Sequence, residues 1–153
     1  MAWCCYRAAA AVVLLSAMVL AGHGCCSAGK AGAPSGVPLE NTYWRLAELQ
    51  GKEVLAPDGR KEAHLTLLPG EKKVQGFGGC NGFFGSYELE GDRLSFGPVG
   101  STRMACPDTG DMEIAFFQVL ESATTFEIGG RILDLMGPEG SLARFQAGSP
   151  RAE

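Results

Sequence analysis

With 153 residues, 46% of them hydrophobic, the chain is long enough for one packed domain and an N-terminal extension, but not for a second core. Its 22 glycines and 8 prolines indicate many turns. The formal net charge of −4 excludes a broadly basic surface, so nucleic acid is not expected as a partner.

The first 24 residues have the features of a secretory signal peptide. A single basic residue, Arg7, precedes an apolar run from Ala8 to Ala21, and small residues follow. The run is about 14 residues long, which is short for a transmembrane helix. We therefore predict that residues 1–24 are a leader and that the protein is exported.

Cys25 or Cys26, directly after the leader, is a candidate for lipid attachment. Leu20-Ala21-Gly22 resembles the start of a bacterial lipobox, but His23 stands where the lipidated cysteine is expected. Residues 25–40 are rich in Gly, Ala, Ser and Pro, so we predict a flexible tether between a membrane anchor and the folded domain. The alternative is a soluble secreted protein with an unmodified cysteine pair.

The folded domain is predicted to span residues 41–147, and residues 148–153 are predicted to be a disordered tail. Its first strand is expected from Thr42 to Leu49. Residues 62–67 alternate between apolar and polar side chains, which predicts a second strand. This alternation places Ala63, Leu65 and Leu67 inward and Glu62, His64 and Thr66 outward.

Residues 76–87 hold five glycines among aromatic residues and a cysteine. Glycine allows positive φ and close backbone approach, and Asn followed by Gly is a strong hairpin signal. We predict that Cys80-Asn81-Gly82 is a turn between strands at Val74 to Gly78 and Phe83 to Leu89.

One segment, residues 108–123, has the spacing of a helix rather than a strand. Asp108 or Thr109 can cap its start. Ile114 and Phe117 are expected to widen its covered arc. The predicted buried stripe consists of Met112, Ala115, Phe116, Val119, Leu120 and Ala123. The predicted solvent side holds Asp111, Glu113, Gln118 and Glu121.

A short strand is predicted at residues 94–96, after a turn at residues 90–93. Three further strands joined by tight turns are predicted at residues 124–128, 131–136 and 141–145. In total the sequence indicates about eight short strands and one helix. The expected fold is mainly β, a closed or nearly closed small antiparallel barrel with the helix packed on one opening.

Three motifs in this domain resemble those of the META domain (HslJ-like) family. They are an opening Trp-x-Leu, a Gly-Cys-Asn-x-Phe-x-Gly-x-Tyr block and a Thr-x-Met-x-Cys sequence. The residues that carry the resemblance are Trp44, Leu46, Gly79, Cys80, Asn81, Phe83, Gly85, Tyr87, Thr102, Met104 and Cys106. It implies a small β-rich domain of the bacterial envelope, often periplasmic or lipid-anchored. It further implies links to stress response, drug resistance or secretion, and no established enzymatic reaction.

Cys80 and Cys106 each lie next to a structural break, and two cysteines in the body of an exported protein are most often paired. The resemblance to the META domain family also implies that these two cysteines are neighbours in space. We predict a disulfide between them. Free buried thiols are one alternative, and a metal site with His64 and a cysteine near the leader is another, although the spacing matches no zinc pattern.

The sequence offers little catalytic machinery. His64 is the one histidine outside the leader, and neither Gly-x-Ser-x-Gly nor His-Glu-x-x-His occurs. The glycine-rich window from Gly76 to Asn81 lacks the last glycine of a dinucleotide fingerprint and leads into a strand. We predict no catalytic residues, no cofactor and no metal.

Two binding functions remain open. The first is a monomeric, tethered module that binds an envelope protein partner and reaches the membrane through its lipid anchor. The second is a barrel that holds a small hydrophobic ligand or an acyl chain. The glycines of residues 76–85 favour tight strand packing over a wide cavity, so we favour the first.

Overall fold

The computed structural model describes residues 36–55, 61–107 and 109–150. The predicted leader, Cys25, Cys26 and Asp108 lie outside these ranges, as do residues 151–153 of the predicted tail. No helix in the described part of the chain is long and apolar enough to cross a membrane.

The described residues form ten strands and one helix. The strands before the helix are β1 (Tyr43–Leu49), β2 (Lys52–Glu53), β3 (His64–Leu68), β4 (Lys73–Phe77), β5 (Gly82–Glu90), β6 (Arg93–Phe96) and β7 (Gly100–Ser101). The helix and the strands after it are α1 (Gly110–Ser122), β8 (Thr125–Gly129), β9 (Ile132–Gly137) and β10 (Gly140–Gly148).

Eight of these strands close into an antiparallel barrel. Their order around the barrel is β1, β3, β4, β5, β6, β8, β9 and β10, and β10 pairs back to β1 from Tyr43↔Gly148 to Leu49↔Ala143. The short strands β2 and β7 add to β1 and β5. The predicted antiparallel barrel with a packed helix is confirmed.

Large apolar side chains fill the barrel interior. Phe116 of α1 lies among them, with ring centroids 5.7 Å from Phe83 and 5.9 Å from Phe145. The helix therefore covers one opening of the barrel. The largest side chains that are fully buried are Trp44, Tyr87, Phe116, Phe145, Leu65, Leu67, Leu94, Leu120, Leu133, Leu135, Val74 and Val119.

The buried face of α1 differs from the predicted stripe at two positions. Glu113, predicted on the solvent side, is only 8% exposed, whereas Ile114, predicted to be covered, is 58% exposed. Both predictions were wrong, because the buried line runs from Glu113 through Phe116 to Leu120 at spacings of three and four residues. A carboxylate thus occupies a position on the core-facing side of the helix.

The segment from Val37 to Asn41 packs against the other end of the barrel. The Val37 N–H donates to the Gly130 carbonyl at 3.1 Å, and the Asn41 N–H donates to the Leu67 carbonyl at 2.8 Å. Leu39 joins the core, and its carbonyl accepts a hydrogen bond from Trp44 Nε1 at 2.8 Å. The packed chain therefore begins at residue 37 rather than at residue 41.

The alternation predicted for residues 62–67 holds for its apolar members and fails for Glu62. Glu62 precedes β3 and is 6% exposed, although it was predicted to face solvent. One oxygen of its carboxylate, Oε2, lies 3.8 Å from Nε of the Arg45 guanidinium on β1.

Candidate functional site

The hairpin between β4 and β5 lies directly against the start of α1. The Gly78 N–H donates to the Asn81 carbonyl at 2.8 Å, and Gly79 has a φ of 109°. A Cβ atom at Gly78 would lie 2.7 Å from Glu113 Oε2, and one at Gly79 would lie 2.3 Å from Met112 Cε. These two glycines therefore permit the close approach of the helix.

The Glu113 carboxylate binds three donors of this hairpin. Its Oε2 atom accepts the Asn81 N–H at 2.6 Å and the Cys80 N–H at 3.2 Å, and its Oε1 atom accepts Asn81 Nδ2 at 2.8 Å. Hydrogen bonds to an ionised group are stronger than those between neutral groups. Glu113 therefore fixes the hairpin to the helix.

Asn81 links the same hairpin to the segment that follows β7. Its Oδ1 atom accepts the Thr102 hydroxyl at 2.8 Å and the Met104 N–H at 2.7 Å. Its Nδ2 atom, besides donating to Glu113, lies 3.2 Å from the Met104 carbonyl. One asparagine side chain thus joins three separate parts of the chain.

A disulfide joins Cys80 to Cys106 across the same region, with Cα atoms 5.9 Å apart and a sequence separation of 26. The predicted pairing is therefore present, and neither sulfur is left as a thiol or as a metal ligand. We call Cys80, Asn81, Thr102, Met104, Cys106 and Glu113 the motif cluster. No group of three or more His, Cys, Asp or Glu residues in the described ranges could hold a metal ion.

The remaining motif residues lie in the core rather than in the motif cluster. Four of them are buried: Trp44, Leu46, Phe83 and Tyr87. Gly85 lies in β5 between Phe83 and Tyr87, and it pairs with Val74 of β4. The family motif therefore combines two sets of residues. One fills the barrel, and the other, including Gly79 in its turn, holds the hairpin, the segment after β7 and the helix together.

Tyr87 also connects the barrel to the segment before β1. Its hydroxyl donates to Glu40, whose carboxylate lies 3.1 Å from Lys72 Nζ. The bond from Tyr87 and the nearby Lys72 lower the pKa of Glu40. Burial, together with the Glu40 carboxylate, raises the pKa of Tyr87 well above its ordinary value. This contact holds the segment across the end of the barrel.

An aromatic row crosses the outer surface of β1, β3 and β4. The His64 ring stacks on Tyr43 with centroids 4.4 Å apart, and Phe77 lies 6.5 Å from His64 on the next strand. His64 Nδ1 is 2.9 Å from the Glu62 carbonyl oxygen. Partial burial is the main cause that lowers the pKa of His64, so the ring is neutral at neutral pH.

Beside this row lies an open depression of about 460 Å³, which we call the outer-face groove. Its walls are formed by Lys61, His64, Thr66, Gln75, Phe84 and Thr102. Gly76, Gly82 and Phe83 complete its lining. Thr102 belongs to both the groove and the motif cluster, so the cluster fixes one wall of the groove.

A second, smaller cleft of about 310 Å³ separates α1 from the loops near β1 and β10. Gln50, Gln118 and Leu142 line it, and the Gln50 N–H donates to the Leu142 carbonyl at 2.8 Å. Its polar lining has no aromatic side chain and no cation, so it offers fewer contacts to a ligand than the outer-face groove does.

Sequence reasoning missed both Glu113 and the outer-face groove. Glu113 could have been found, because it shares a helical face with Phe116 and Leu120. The groove had no comparable signal: its residues come from four segments, and only the strand register brings Thr66, Gln75 and Phe84 side by side.

Comparison with known proteins agrees with this geometry. An NMR structure of a protein from Burkholderia xenovorans is similar with a TM-score of 0.60 and 30% identity, over 78% of this chain and 94% of that chain. A second NMR structure shares the fold with a TM-score of 0.56 and 20% identity, over 71% of this chain and 91% of its own. No curated protein matches the chain. The family model described as META domain matches residues 37–149, and the chain therefore belongs to the META domain family.

Proposed function

We propose that this protein is a non-enzymatic module of the bacterial envelope that binds a protein partner through the outer surface of its barrel. The observation that carries the proposal is the contrast between the two sides of the sheet. Apolar side chains fill the interior, while the outer-face groove is open and Phe84 beside it is 67% exposed.

The alternative, a barrel that encloses a hydrophobic ligand or an acyl chain, has less support. A ligand site inside a small barrel needs interior side chains that leave space. Here Trp44, Phe116 and Phe145 occupy the interior. The helix covers one end, and the segment from Val37 to Asn41 packs at the other.

Three groups that could act in general acid-base or nucleophilic chemistry, Glu113, Cys80 and His64, make contacts within the fold. The Glu113 oxygens accept three hydrogen bonds from the hairpin, and Cys80 is in a disulfide. His64 is stacked on Tyr43 with Nδ1 directed to a backbone carbonyl. A catalytic base has to reach a proton of the substrate, so these contacts favour binding over catalysis.

An envelope location fits the disulfide, because disulfides persist in oxidising compartments such as the periplasm. The leader-like residues 1–24 and the cysteines at 25 and 26 fit an exported protein with a lipid anchor. Anchoring would raise the effective concentration of the module near membrane partners. The family resemblance is the support for proposing a role in stress response, drug tolerance or secretion.

Affinity capture from solubilised envelope tests the proposal, with mass spectrometry of the mature N-terminus and of any small molecule that co-purifies. We expect one envelope protein to be captured reproducibly by the wild type and lost with Phe84→Ala. The exposed Ile114→Ala variant is the matched control, because it removes an apolar side chain outside the groove. A stoichiometric lipid in the purified protein would favour the alternative. Turnover of a substrate that disappears with His64→Ala would refute both.

A further inference from the structure

The outer-face groove has the shape and chemistry to hold one apolar side chain of a partner. Gly82 is in β5 and does not have a positive φ, so its backbone does not require glycine. A Cβ atom at Gly82 would meet only the Gly76 carbonyl oxygen, at 3.9 Å. The absent side chain leaves room beside the exposed Phe84 ring, and exposed aromatic residues are frequent hot spots in interfaces.

The walls of the groove carry polar groups that can bind a peptide backbone. Thr66 and Gln75 are opposite each other on β3 and β4, and neither side chain has a hydrogen-bond partner among the described residues. An extended peptide presents backbone N–H and C=O groups, whereas a helix uses its own internally. These two side chains therefore fit an extended segment.

The positive charge of the groove favours a peptide segment with an acidic residue. Lys61 is the one lysine, arginine or carboxylate side chain among the described lining residues, and it forms no ion pair with a described carboxylate. Its Nζ atom lies 5.4 Å from the centre of the Phe77 ring. No Asp or Glu is among the described lining residues, so no carboxylate of the groove opposes an acidic ligand.

The open form of the groove favours a peptide over a small molecule. Small-molecule sites are concave and bury roughly 70–90% of the ligand surface, whereas the outer-face groove is open on the outside of the sheet. A peptide can continue past the groove and bury more surface on each side. We propose that the outer-face groove binds an extended acidic peptide segment of the partner, with an apolar side chain over Gly82 and a carboxylate at Lys61.

This inference rests on the proposed function and names the chemistry of the partner. Its test is selection of a phage-displayed library of random dodecapeptides on the full chain, followed by fluorescence anisotropy of the enriched peptides. We expect the enriched sequences to pair an acidic residue with a large apolar one. We expect Gly82→Leu to weaken their binding by about tenfold or more, because its side chain fills the space that the peptide occupies. Lys61→Glu should weaken binding and remove its dependence on salt.

Lys52→Glu is the matched control for Lys61→Glu, because Lys52 is an exposed lysine of β2 outside the groove. Thermal unfolding of each variant establishes that it is folded. Failure to enrich peptides, enrichment of basic sequences, or equal binding to wild type and Gly82→Leu would overturn the inference. If Gly82→Leu still captures the envelope partner, this site is wrong but the binding function stands. If the wild type captures nothing, the function itself fails.

Discussion

Asn81 and Glu113 are joined by two hydrogen bonds although 32 positions separate them, one from the Asn81 N–H at 2.6 Å and one from its Nδ2 atom at 2.8 Å. The pair connects the β4–β5 hairpin to the helix that covers the barrel. Because Asn81 also binds Thr102 and Met104, the same contact orders the segment after β7. The helix, the hairpin and one wall of the groove are therefore parts of one network.

Loss of the Glu113 carboxylate should destabilise the domain strongly. Glu113→Ala leaves three buried donors of the hairpin unsatisfied, so we expect the free energy of unfolding to fall by about 3 kcal/mol. Glu113→Gln should cost less, because the amide oxygen still accepts one bond. Urea denaturation measures both, with Glu121→Gln on the exposed side of α1 as the control, expected within about 0.5 kcal/mol of wild type. Equal stability of Glu113→Ala and the control would contradict the role given to this carboxylate.

Reduction of the Cys80–Cys106 disulfide should lower stability without changing the fold. The loop between them spans 26 positions, for which the chain-entropy model gives about 3.5 kcal/mol. We expect a loss of this order in the Cys80→Ala/Cys106→Ala double variant, measured by urea denaturation. The wild type should fall to the same value in reducing agent. Alkylation of both cysteines in the native, unreduced protein would show that the bond is absent.

Most strands of the barrel could be predicted from the sequence, because the alternation of apolar and polar residues in each strand is visible within a short window. Val74 is buried between the exposed Lys73 and Gln75 of β4, and the glycine-rich window predicts the hairpin that follows. The turn lies one to two residues earlier than predicted, because the positive φ is at Gly79, and Gly82 in β5 already pairs with Phe77. Register then follows, since a shift by one residue would expose every apolar side chain of the strand. The spacing of apolar residues also predicted the helix. The predicted range, 108–123, begins two residues before the observed helix and ends one residue after it.

Contacts between segments that are distant in the chain could not be predicted from the sequence. The helical spacing alone places Glu113 on the buried face, but it was assigned to solvent because a carboxylate is seldom buried. The hairpin N–H groups that make its burial favourable are distant in sequence and could not be predicted. Glu62 likewise has a charged neighbour from another strand, since its carboxylate lies 3.8 Å from Arg45 Nε. The groove depends on register across β3, β4 and β5, which no single window of the sequence specifies.

His64 should make the stability of the protein depend on pH in the weakly acidic range. Burial lowers its pKa in the folded state, so the unfolded chain binds more protons below about pH 6.5. Its contribution to stability is therefore full above that pH and is lost as the pH falls towards the lowered folded pKa. We expect the unfolding free energy of wild type to fall more steeply between pH 7 and pH 5 than that of His64→Phe, which keeps an aromatic ring beside Tyr43. Parallel pH profiles for the two proteins would contradict this assignment.

The last prediction concerns where the folded domain begins. Removal of residues 1–35 should leave the thermal midpoint unchanged, whereas removal of residues 1–41 should lower it clearly. The second deletion removes the buried Leu39 side chain, the acceptor of the Trp44 indole N–H and the Glu40 carboxylate bound to Tyr87. Loss of a buried leucine side chain alone costs about 2–5 kcal/mol. Leu39→Ala and Glu40→Gln in the full chain separate the apolar from the polar part of this effect. Equal thermal midpoints for the two truncated proteins would show that the segment from Val37 to Asn41 contributes nothing to the fold.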